Sequence, residues 1–196
     1  MKQRCAWSDD PLMNEYHDKE WGIPVHDDNK LFEFMLLDAF QAGLSWMTVL
    51  RKRENFKQAF DNFDVNKIAK YDVIKISKLL QDEGIIRNKL KIKASVQNAI
   101  EFKKIQKEFG SFDKYIWQFV KGKPIVNKWK SLSQLPPRSR ESDIMSLALK
   151  KRGFSFVGST ICYSFMQACG MVNDHVVGCF RHKELINKRG KKNRLR

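Results

Sequence analysis

Lys150–Cys179 reads KKRGFSFVGSTICYSFMQACGMVNDHVVGC. Two helical patterns flank a tight turn bracketed by Gly153 and Gly158. The first pattern ends in Lys150, Lys151 and Arg152, cations that suit a helix C-terminus, and Gly153 suits the residue just past one. The second pattern runs from Ser159 to Cys169 and stops at Gly170. Ser159 or Thr160 has the side chain of an N-cap. Gly158 lets another surface approach the backbone, and the first N–H groups of the following helix can hold a phosphate. An ordinary helix–turn–helix connection reads the same way. The end of the stretch supplies Asp174, His175 and Cys179.

Working outward, most of the chain carries helical stripes. Ser139–Lys151 leads into the turn, preceded by a loose region at 122–137 with three prolines. Upstream lie helical patterns at Asn88–Glu108 and Ser111–Val120, and shorter ones capped by Asp64 and Asp72, the latter ending near Gly84. Trp46–Phe60 reads as one helix with apolar positions 46, 49, 50, 56 and 60. Asp28 or Asn29 caps an earlier helix whose inner stripe is Leu31, Met35, Asp38 and Ala42. A carboxylate on that stripe must be paired, hydrogen-bonded or protonated, unless the stripe drifts and leaves Asp38 solvated. Between these two helices, QAGLSW places Leu44 at a turn tip. It reads as a wedge for a DNA stack or as a hydrophobic staple onto Val49 or Leu50. Residues 1–28 show turn signals and little periodicity, yet hold Cys5, Trp7, Tyr16, His17 and Trp21, which argues that this arm packs on the body. No run alternates like a strand, so the fold class is all-α.

The 196 residues, 42% hydrophobic, suffice for one domain with a core. Thirty-seven basic residues against 22 acidic give +15, and nearly half of that excess follows Arg181. Such a balance suits a polyanion such as nucleic acid, or a solubilising surface. The polar first twenty residues and the interrupted apolar runs predict no signal peptide or membrane span, hence a cytoplasmic protein with reduced cysteines. Cys162 and Cys169 read as core residues. Cys5, His17, His175 and Cys179 together make a closed tetrahedral zinc set, but the spacing alone favours unrelated buried Cys and His residues.

The motifs YHDKEWG, QAGLSW, KKRGFSFVGSTICYSFMQACG and NDHVVGC, in this order, resemble the DNA-3-methyladenine glycosylase I family. The resemblance covers roughly residues 4–180. It implies an all-α helix-hairpin-helix DNA glycosylase fold in a single domain, 1–182. The arm 1–28 and residues 171–182 would form a zinc-bound annex, 29–170 the helical body, and 183–196 a disordered basic tail. It implies structural Zn2+ on Cys5, His17, His175 and Cys179. The base pocket would hold Tyr16 and Trp46 with Trp7 and Trp21 nearby. Leu44 matches the family's intercalating position and Gly153–Ser159 its phosphate-binding hairpin, with Gly158, Lys150, Lys151 and Arg152 contributing.

Two positions depart from the family pattern. Asp38 stands where Glu is common, and Met13 where the pocket has an aromatic residue. The implied reaction is hydrolysis of 3-methyladenine from alkylated double-stranded DNA by a monomeric, monofunctional bacterial-type enzyme that flips the base. Asp174 is a second acid to weigh, either catalytic or orienting His175. The alternatives are a non-catalytic, zinc-stapled DNA-binding module and a glycosylase of altered lesion range.

Overall fold

The structure, a computed structural model, describes residues 2–192. Helices carry the fold. The arm is not irregular: Pro11–Lys19 forms α1, with Asp10 accepting from Leu12 N and Pro11 at the first helical position. Its nine residues are too few for their periodicity to stand out. Asp28–Gln41 is α2, and its N-cap is Asp27, one residue earlier than the sequence indicated. Trp46–Arg51 (α3) and Arg53–Ala59 (α4) replace the single expected helix. The break falls at Lys52, whose backbone leaves the helical region and whose ammonium caps Glu83 O and Gly84 O.

Val65–Ile68 (α5) and Val73–Gln81 (α6) are capped by Asp64 and Asp72 as expected. Lys89–Phe109 (α7) starts at its cap Asn88 and ends on left-handed Gly110. Phe112–Ile116 (α8) runs on into a 3-10 turn, and Arg140–Lys151 (α9) begins with a reciprocal Ser139–Ser142 capping box. Ser159–Ala168 is α10, and Phe180–Lys192 is α11. The chain is not purely helical: Ile125–Val126 (β1) and Val172–Asn173 (β2) pair in parallel. Two-residue strands are too short to alternate, so no sequence period announces them. Helix α11 also overrides the expected disordered tail through residue 192. Leu185 is buried, beside Gly22, which rewards ordering. Residues 193–196 lie outside the described residues.

Helices α2 and α7 lie antiparallel, clamped at both ends. At one end the buried Lys91 donates to Phe40 O at 2.7 Å and Ala42 O at 2.6 Å, capping the carbonyls that α2 leaves open. At the other end the Asp28 carboxylate accepts from Gln106, Phe112 N and Asp113 N. Between the clamps, Phe32 meets Phe102, while Phe40 packs on Phe56 and Phe60. Helix α10 packs on both α2 and α9.

The arm is fastened to the end of α10. Gly22 N donates to Gln167 O and Val25 N to Cys169 O. Gly170 has φ +69°, and a Cβ there would sit 2.3 Å from Ile23 C and 2.4 Å from Pro24 N. Both obstacles are backbone and cannot rotate away. Gly170→Ala is therefore expected to lower the unfolding free energy by about 3 kcal/mol or more in urea denaturation. A loss under about 1 kcal/mol would show that the arm is not pinned there.

Candidate base pocket and metal centre

The hairpin joining α9 to α10 is held from behind. Asn98 on α7 donates to Ser155 O at 3.0 Å and accepts from Ser155 N at 2.8 Å, while Ser146 Oγ donates to Val157 O. Gly153 has φ +94°, and Phe156 adopts φ +57°, a strained value for an aromatic residue. The cap of α10 is Gly158 rather than Ser159 or Thr160, and it supplies no side-chain acceptor. The opening N–H groups of α10 therefore lack the internal partner that most helices receive. A Cβ at Gly158 would touch nothing. Internal packing does not demand glycine there. Lys150 and Lys151 are exposed, whereas Arg152 is bound to Glu108 through both terminal nitrogens and lies over Tyr115.

Leu44 is 43% exposed at the α2–α3 turn, which disfavours the staple and leaves an apolar tip facing solvent. Ser45 caps α3, as the sequence indicated.

A cavity of about 260 Å³ opens beside that turn. The arm lines it with Trp7, Met13, Tyr16 and Trp21, and the body with Asp38, Trp46 and Gln167 among others. All six expected pocket residues thus meet in one place. Gln41, Leu135, Ser164 and Gln167 complete the lining and were not anticipated. Gln41, Ser164 and Gln167 sit in the quoted motifs, and Ser164 and Gln167 lie three apart on α10, so they share a face. The Tyr16 and Trp46 rings are 5.2 Å apart, and Trp7 meets Trp21 edge-on at 5.0 Å.

Asp38 is 2% exposed, and its Oδ2 has no hydrogen-bond partner. Burial alone pushes its carboxyl well above the usual range. Tyr16 is pushed up as well, by burial first and then by Asp38. Trp46 Nε1 is likewise buried without a partner. Buried polar atoms normally find partners, and both of these unpartnered atoms belong to residues that line the cavity.

Asp174 is a different kind of carboxylate. Oδ1 accepts from Asn127 and Trp129, Oδ2 from Tyr163 and Gln167. Four donors occupy both of its oxygens. Nor does it orient the His175 ring, whose Nε2 is directed instead at Trp21 O, 3.1 Å away.

The two chain ends meet at Cys5, His17, His175 and Cys179, all buried, with ligand atoms within 4.8 Å of one another. His17 Nε2 lies 3.2 Å from His175 Nδ1, and Cys179 Sγ lies 3.4 and 3.5 Å from these nitrogens. Cys5 Sγ is 3.7 Å from His175 Nδ1. The edges of a tetrahedron built with zinc–sulfur and zinc–nitrogen bond lengths are about 3.3 Å for N–N and about 3.6 Å for S–N. The donor set therefore fits a four-coordinate metal ion. Its outer partners fit too: His17 Nδ1 sits 2.8 Å from Asp18, which Arg4 and then His17 hold below the usual carboxylate range. Burial lowers His175, keeping its imidazole neutral as a ligand must be.

Comparison with known proteins agrees with this arrangement. The methyladenine glycosylase family model matches residues 6–182. Escherichia coli DNA-3-methyladenine glycosylase 1 is 51% identical over 178 residues, which are 90% of this chain and 95% of that protein. The Haemophilus influenzae DNA-3-methyladenine glycosylase is 46% identical over 180 residues, 91% and 97% of the two chains. A crystal structure of 3-methyladenine DNA glycosylase I superposes with a TM-score of 0.88 at 51% identity, covering 91% of this chain and 98% of that one. The Staphylococcus aureus 3-methyladenine DNA glycosylase I, in a structure concerned with recognition of 3-methyladenine, gives 0.87 at 34% identity over 90% and 95%. With the family match spanning nearly the whole chain and the cavity formed from the matching motifs, the protein belongs to the methyladenine glycosylase family.

Proposed function

We propose that this protein is a monofunctional DNA glycosylase that hydrolyses 3-methyladenine from alkylated double-stranded DNA. The observation that carries the reading is the cavity lined by Tyr16, Trp46 and Asp38, whose carboxylate is buried and has an oxygen without a partner. 3-Methyladenine is cationic on its nucleoside, so its glycosidic bond is already weak. A flipped cationic base gains from the electron-rich faces of Tyr16 and Trp46. It also reverses the cost of ionising Asp38, because an opposite charge nearby favours the carboxylate. The carboxylate accepts from the exocyclic amine. The C1′–N bond then breaks with its electron pair remaining on the base, which leaves neutral. Water bonds to C1′ and releases a proton to solvent. Release of free 3-methyladenine from methylated DNA, with 7-methylguanine as the competing lesion, tests the reading; no release would end it. Met13 in place of an aromatic wall favours some tolerance of other lesions.

DNA would reach this cavity with Leu44 entering the stack and the N–H groups of the hairpin on a phosphate. Exposed Lys150 and Lys151 add to the field, while Arg152 serves the fold. Leu44→Ala is expected to reduce excision from duplex more than from single strands, since a wedge is needed only where a stack must open. Equal losses on both would exclude the wedge.

The metal fits zinc best, held by Cys5, His17, His175 and Cys179, in an otherwise cytoplasmic, monomeric protein. When bound, an ion with four protein ligands supplies structural linkage between the chain ends. Protein purified without added zinc should carry about one equivalent, and chelation should lower its Tm. A metal-free protein of unchanged Tm would refute the assignment.

Asp38 links function to stability with a defined sign. Its folded-state value lies above its unfolded value, so the stabilising form is the protonated one. That contribution is complete below about pH 3.9 and declines as pH rises toward the raised folded value. Asp38→Asn removes the penalty. It is therefore expected to raise Tm at pH 7, with the gap closing in acid, while lowering excision at least about tenfold. Asp38→Glu, which advances the carboxylate by one methylene, is expected to keep or raise activity. Equal excision by the Asn variant would remove Asp38 from base recognition.

A further inference from the structure

The geometry points to Gln167 as the residue that sets which base the cavity accepts, with Asp174 as the positioning residue that aims it. The inference rests on the glycosylase reading and deepens it.

Gln167 lies on the last turn of α10 and lines the cavity. Its amide is 2.8 Å from Asp174 Oδ2. A carboxylate only accepts, so the atom facing it is Nε2, and Oε1 is fixed at the other end of the amide. Reversing the amide would set oxygen against a buried anion. Asp174 cannot swing away, because Asn127, Trp129 and Tyr163 hold it as well. Donation to an anion in a low-dielectric setting also polarises the amide and strengthens its carbonyl as an acceptor.

The cavity lining thus includes two acceptor side chains from two helices: buried Asp38 on α2 and half-buried Gln167 on α10, whose carbonyl is the end of the amide that Asp174 leaves free. Both helices are anchored in the core, so neither acceptor retreats easily. A cationic purine with an exocyclic amine offers donors and positive charge to this pair. A purine with an oxo group on the same edge sets oxygen against oxygen and leaves these acceptors unpaired. Sites built this way reject the wrong partner far more strongly than apolar shape does. The ligand class is therefore the cationic aminopurine, in preference to the oxopurine.

The test measures kcat/KM for release of 3-methyladenine and of 7-methylguanine from the same methylated DNA. It compares wild type with Gln167→Met, Asp174→Asn, their double variant and Tyr163→Phe. Gln167→Met is expected to narrow the adenine preference about tenfold, through loss of 3-methyladenine release rather than of both lesions together. Asp174→Asn should narrow it too, and the double variant no further. Tyr163→Phe removes a different donor from the same carboxylate and should keep the preference. Should Asp174→Asn fail to fold, Gln167→Met and Tyr163→Phe still decide. An unchanged preference in Gln167→Met overturns the inference, as does equal narrowing by Tyr163→Phe. Wild type that releases no methylated base defeats the glycosylase reading and this inference with it. Wild type that is active while Gln167→Met keeps the preference defeats the inference alone.

Discussion

The buried meeting of His17 with His175 is the constraint on which the rest depends. These rings stand 3.2 Å apart between nitrogens, although 158 residues separate them in sequence. Residues before α2 supply Trp7, Met13, Tyr16 and Trp21 to the cavity. The cavity exists only while the arm stays docked. Trp21 illustrates the coupling: its ring packs on His175 at 4.5 Å, its carbonyl lies against His175 Nε2, and its other side lines the cavity. The junction of the chain ends and the wall of the pocket are one packed aromatic cluster.

The second feature is the contrast between two buried carboxylates. Asp174 has four donors and is a structural anchor. Asp38 has an oxygen with none, and it raises the cost of the folded state at neutral pH. A fold selected for stability alone would pair it or replace it. Functional sites commonly carry such local expense. Lys91 shows how the surroundings hold the site in place. It caps α2 at carbonyls two and four residues beyond Asp38, and so fixes both the acid and the turn that presents Leu44.

Helix ends were the most legible part of the sequence. Ser45, Asp64 and Asp72 accept from the N–H groups their positions indicated, while the caps of α2 and α10 fall one residue early, at Asp27 and Gly158. Capping is local chemistry, read within three residues. Features set by distant partners were not legible. The break at Lys52 depends on carbonyls about thirty residues away, and the β1–β2 pair on registering residues 125–126 with 172–173. The Cys/His cluster had no diagnostic spacing, so residue type alone suggested the set and the family resemblance had to supply the rest. Gln167 is one glutamine on a helix until Asp174 is seen beside it.

The account stands or falls on whether Asp38 faces the base. A crystal structure of the protein soaked with free 3-methyladenine measures this directly. The predicted result is a base seated in the cavity against Tyr16 and Trp46, with its exocyclic amine within hydrogen-bond distance of the Asp38 carboxylate. A base bound elsewhere, or bound in the cavity without a hydrogen bond to the Asp38 carboxylate, would contradict it.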